Sequence, residues 1–161
     1  MPTKRQPILP ILIASKDGLA ITGGTITVNA KDDGIRGKDY LVVKAGALTI
    51  KSGGDGLKSD NGEDAKLGYV SIENGAIKID AGGDAIDAQS DVRIFSGTLI
   101  LTSGGGSSAR INDTLSAKAI KGTAGLNING GTFTIDAADD AVNTKAGIVV
   151  HAGTFTIATG D

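Results

Sequence analysis

A repeat of 22 residues runs from Leu19 to the C-terminus and constrains this chain more than any other feature. Its segments are LAITGGTITVNAKDDGIRG from Leu19, LVVKAGALTIKSGGDGLKS from Leu41 and VSIENGAIKIDAGGDAIDA from Val70. They continue as VRIFSGTLILTSGGG from Val92, LNINGGTFTIDAADDAVNT from Leu126 and IVVHAGTFTIATGD from Ile148. A unit this short cannot bury an apolar face alone, so it must stack on its neighbours as the coil of a solenoid. Every position in the repeat then becomes a column along a rod, and any chemistry must be sought in columns.

Five columns are apolar throughout. One is Leu19, Leu41, Val70, Val92, Leu126 and Ile148; another is Ile13, Ile35, Leu57, Ile86, Ile120 and Val142. Within each segment apolar and polar residues alternate, which is the period of a strand and excludes an amphipathic helix. Gly24, Gly46, Gly75, Gly97, Gly131 and Gly153 recur between the first two strands, where a bend calls for positive φ. Three short strands per coil and about six coils predict an all-β chain, a right-handed parallel β-helix. At about 4.8 Å per coil the rod would be on the order of 30 Å long.

The solenoid is expected over 13–161, with residues 1–12 as a cap on the first open coil. The stretch MPTKRQPILPILIAS loosely imitates a signal peptide, but its apolar run is short and broken by Pro7 and Pro10. With no long apolar segment after it, no membrane partner is expected. Two insertions break the register, near 60–66 (DNGEDAK) and 106–117 (SSARINDTLSA), and solenoid loops of this kind often carry function. The chain stops partway through its sixth coil, which reads as a segment excised or redesigned from something longer.

Composition removes several functions. A formal charge of −2 and a pI near 5.3 give no electrostatic reason to expect nucleic acid. Cys is absent and His151 is the single histidine, so neither a triad nor a zinc or copper site can be assembled. Paired acids for glycoside hydrolysis exist only because aspartates recur, and no base stands out for a lyase. The chain is read as a non-enzyme.

The strongest polar feature is a carboxylate column of Asp33, Asp55, Asp84 and Asp140, with Asp32, Asp139 and Asp161 one position earlier. Carboxylates on successive coils would lie about 5 Å apart and repel, and a shared cation is one remedy. Asp60 and Asp64 in the inserted loop follow Asp55 closely and complete a candidate oxygen cage for Ca2+. The other reading is that these aspartates make the turns and cap backbone amides. Arg36 and Lys58 share a basic column, able to grip an acidic polymer or to pair with Asp87 and its neighbours. Tyr40 and Tyr69 share an outward column and form either a platform for sugars or simple corner packing. An outward Thr-x-Thr pattern is interrupted at Ala47, Ala76, Lys78 and Ile100, which weighs against an ice-binding ladder.

The strings KDDGIRGKDY, IKSGGDGLKSDNGEDAKLGYVSIENG, IKIDAGGDAIDAQSDVRIFSGTL and KAIKGTAGLNINGGTFTIDAADDAVNT resemble the bacterial carbohydrate-binding domain-containing proteins. The resemblance spans about residues 13–160. It implies an extracellular right-handed parallel β-helix, shaped like a pectate lyase but non-catalytic. It also implies bound calcium and affinity for cell-wall polysaccharide, both acidic pectic chains and cellulose. By motif, the Gly-Asp-Gly turn falls on Asp55, its variants on Asp33, Asp84 and Asp140, and the acidic loop on Asp60 and Asp64. Ala85 and Ala141 depart from the Asp-Gly turn, and the alternative expectation is a structural or engineered scaffold without sugar binding, self-associating through its open coil ends.

Overall fold

The computed structural model describes residues 13–160, so the expected cap over 1–12 and Asp161 lie outside the described residues. Among the described residues, eighteen strands and no helix form three parallel six-stranded sheets, each holding every third strand. The architecture is a three-sided parallel β-helix. In the second coil the strands are Ile35–Gly37 on a short sheet, Tyr40–Val43 on a middle sheet and Ala47–Ser52 on a long sheet.

The register follows the columns of the sequence. Ile13 pairs Ile35, Leu41 pairs Val70, and Phe133 pairs Phe155, so like residues lie over like. Burial alternates along the long sheet, with Leu48, Ile50 and Ser52 inside and Ala47, Thr49 and Lys51 outside. The aliphatic columns close into one continuous core running from Ile21 to Ala137. Near the far end Phe133 and Phe155 stack at 4.6 Å, almost parallel at 4°. In the sixth coil the inward residues Ile148, Val150 and Ile157 are 47%, 52% and 50% exposed, with no further coil above them among the described residues.

The glycine bend meets its expected conformation: Gly46 has φ 118°, and a Cβ there would crowd Gly24 O at 2.9 Å. The insertions leave the stack as loops rather than disturb it. The first follows Leu57–Ser59 and is tied back by Asn61 Nδ2 donating to Asp39 at 2.7 Å. The second follows Thr98–Ser103 and is held by Ser103 Oγ donating to Ala117 O at 2.8 Å.

Candidate functional site

The aspartate column lies at the turn between the long and short sheets, where Asp33, Asp55 and Asp84 each reach the next coil. Asp33 Oδ1 accepts the Asp55 N–H at 2.9 Å, and Asp55 Oδ1 accepts the Asp84 N–H at 2.8 Å. Asp84 Oδ1 accepts the Lys118 N–H at 2.8 Å, and Ser116 Oγ donates to the same carboxylate at 2.7 Å. A backbone turn leaves these amides without a partner in their own strand, and a short side chain one coil away supplies it.

Lysines compensate the negative charge. Lys58 Nζ sits 2.7 Å from Asp55 and 3.4 Å from Asp33, while Lys121 Nζ sits 3.4 Å from Asp84 and 3.6 Å from Asp87. Burial works against the charge on Lys58, but its hydrogen bond to Asp55 and the fields of Asp55, Asp33 and Asp87 outweigh it and raise its pKa. Burial pushes Asp87 up to about 6, helped by Asp55 and Asp84 and opposed by Lys121 and Lys58. Further along, Lys118 pairs with Asp139; desolvation opposes its ionisation, yet that hydrogen bond holds Asp139 below the usual carboxylate range.

Of the six aspartates expected to bind metal, the structure brings three into one ladder, Asp33, Asp55 and Asp84. Asp60 instead takes the Arg36 guanidinium at 2.9 Å, and Asp64 Oδ1 caps the Lys66 N–H at 2.9 Å within its own loop. Asp140 Oδ2 accepts from Asn143 Nδ2 at 2.7 Å. One residue the sequence assigns only to ion pairing, Asp87, joins Asp55 and Asp84 in a group in which one carboxylate oxygen from each lies within 4.8 Å of the others. Hard oxygen donors of this kind suit calcium. Lys58 and Lys121 already bring positive charge to those oxygens, so an ion would have to compete with them.

The middle sheet carries the second candidate. Its outward column reads Gly18, Tyr40, Tyr69, Asp91, Gly125 and Gly147. Tyr40 leans across Gly18, where any Cβ would run into its ring. The Tyr69 ring lies 5.7 Å from it at 18°, and the Arg93 guanidinium sits 5.1 Å from the Tyr69 centroid. Arg93 also donates to Asp91 Oδ2 at 2.9 Å, so the row runs Tyr40, Tyr69, Arg93, Asp91 along the rod with both rings still half exposed. Aromatic edges and hydroxyls beside a guanidinium offer apolar contact together with hydrogen bonding.

Beyond this row, a shallow hollow of about 230 Å³ is floored by Gly125 and Gly147. Asp91, Arg93, Asn127 and Val149 line it, and Asn127 Oδ1 is buried without a hydrogen-bond donor. A larger cleft of about 520 Å³ lies beneath the second insertion, between Arg110, Asp113 and Leu115 and the Ala138–Asp139 turn. It contains no aromatic ring.

The family model for carbohydrate-binding domain-containing protein matches residues 12–161. No curated protein and no solved structure matches the chain.

Proposed function

Since the chain belongs to the carbohydrate-binding domain-containing protein family, we propose that it is a non-catalytic module that holds cell-wall polysaccharide along its middle sheet. The observation that carries this reading is the half-exposed Tyr40–Tyr69 pair in register on adjacent coils. Successive coils are about 4.8 Å apart, so an extended chain lying along the rod meets one ring per coil. Of the two polymers expected, the neutral one fits better. A pectic carboxylate would need Arg36 and Lys58, whose charges are spent on Asp60 and on Asp55 and Asp33.

Calcium enters the reading as a stabilising ion at Asp55, Asp84 and Asp87, supported by their donor chemistry and opposed by the two lysines. An extracellular setting goes with a cell-wall ligand.

The deciding experiment is retention on insoluble cellulose and on immobilised polygalacturonate, each in calcium and in EDTA. Cellulose is expected to retain the protein, and a Tyr40→Ala/Tyr69→Ala variant with unchanged melting temperature is expected to wash through. Equal retention of that variant would refute the site. Identical melting in calcium and EDTA would remove the ion from the reading.

A further inference from the structure

We infer that the hollow over Gly125 and Gly147 is a binding subsite for one neutral pyranose unit, with Asn127 as the residue that reads its hydroxyl groups. The inference rests on the polysaccharide reading above and extends it two coils along the rod. The hollow exists because of three features in register. Arg93 turns back toward Tyr69 and Asp91, the next two positions in the Asp91 column are glycines, and Asn127 follows Arg93 in the neighbouring column. The result is a recess with a carboxylate and a guanidinium on one rim and an amide in its wall.

The amide is the informative group. A buried acceptor without a donor is uncommon, and one in the wall of a recess calls for an explanation. An Asn side chain turns easily about its terminal torsion, which is broad and roughly two-fold. Turned about that torsion, the amide brings its oxygen to the hollow, where a ligand hydroxyl is the donor it lacks. A sugar ring presents neighbouring hydroxyls that both give and accept, which matches an amide better than a purely accepting anion does. A uronate carboxylate would bring negative charge beside Asp91, whose partner Arg93 is already engaged. The hollow also continues the line of the tyrosines. Asn127 stands two coils beyond Tyr69, about 10 Å at 4.8 Å per coil.

The test is a titration of 15N-labelled protein with a β-1,4-linked glucose hexamer and, separately, with a galacturonate oligomer of the same length. The glucose hexamer is expected to shift the Asn127 side-chain amide and the Gly125 and Gly147 backbone amides, together with Tyr40 and Tyr69. Asn127→Val, which places in this column the residue type already found at Val149, is expected to bind the hexamer about tenfold more weakly, the worth of one net hydrogen bond. Its melting temperature should be unchanged or higher, because the unpartnered acceptor is gone. Shifts at Tyr40 and Tyr69 without shifts in the hollow, or wild-type affinity in Asn127→Val, would overturn the subsite and leave the tyrosine site standing. Stronger shifts in the hollow with the galacturonate oligomer would overturn the neutral ligand. No shift at either place with either oligomer would remove the polysaccharide reading, and the subsite with it.

Discussion

Replacing Asp84 by Ala removes the best-buried charge in the molecule's aspartate ladder. Asp84 is 1% exposed, and its carboxylate takes hydrogen bonds from the Lys118 N–H and Ser116 Oγ, with Lys121 Nζ 3.4 Å away. Hydrogen bonds to a charged acceptor contribute about 1.5–3 kcal/mol each, and stranding the Lys118 N–H adds a desolvation cost. Against this stands relief of repulsion with Asp55 and Asp87, whose oxygens lie within 4.8 Å. Lys121 keeps Asp87 at 3.6 Å, so no cation is left alone. The expected net loss for Asp84→Ala is about 3 kcal/mol, or roughly 6–12 °C in melting temperature for a chain of this length. Asp84→Asn keeps a carbonyl oxygen for the Lys118 N–H and sheds the repulsion, so it should cost less than about 1 kcal/mol. Urea unfolding of both variants, in EDTA, measures the difference. The Asp91–Arg93 pair, with side chains 38% and 47% exposed, is the internal standard, expected to be worth about 0–1 kcal/mol. An Asp84→Ala protein no less stable than Asp91→Ala would refute the view that the ladder is a structural tie.

Two further outcomes follow from neighbouring geometry. Asp87 has a folded pKa near 6 against an ordinary 3.8, so its protonated form favours the fold; that contribution is full below about pH 4 and is lost as pH rises through 6. The stability of Asp87→Asn relative to wild type should therefore rise between pH 4 and pH 7, and a constant difference across melts in that range would contradict the assignment. Gly18→Ala inserts a methyl group where the Tyr40 ring lies, so the ring must leave its place over Gly18 and its stacked geometry against Tyr69 is disturbed. Cellulose retention is expected to drop several-fold with little loss of stability, and full retention would show that the ring pair is not the contact surface.

The fold was legible in the sequence because a solenoid turns sequence period directly into strand pairing. Offsets such as Ile13 to Ile35, read as a column, became the observed register of the short sheet. The site was legible only in part, for a reason visible in individual aspartates. The repeat places Asp33, Asp55 and Asp84 at one turn, but whether each carboxylate faces an ion or an amide depends on sub-ångström placement that a period does not encode. In this column Asp33 and Asp55 cap amides of the next coil, while Asp55 and Asp84 lie close to Asp87 of the Lys58 column. Asp60 and Asp64 sit in an insertion, where the repeat has no authority over direction, and the loop turned Asp60 toward Arg36. Asp91, Arg93 and Asn127 went unremarked although a signal existed. Carrying the Tyr40 column onward to Asp91, Gly125 and Gly147 would have exposed a row of missing side chains beside an Asn.

The aspartate ladder also fixes a direction. Each carboxylate ties its own coil to the following one, from Asp33 to Asp55, from Asp55 to Asp84 and from Asp84 to Lys118, where Lys118 carries the tie forward to Asp139. Parallel strands with like residues in every column would tolerate slippage by a whole coil, since one aliphatic layer is much like the next. The seam is not uniform, because Lys118 stands in the fourth coil where the other coils carry aspartate, and a coil displaced by one step would set an aspartate where Lys118 pairs Asp139. The corner thus works as a ratchet for register in a rod whose core alone does not distinguish one storey from another.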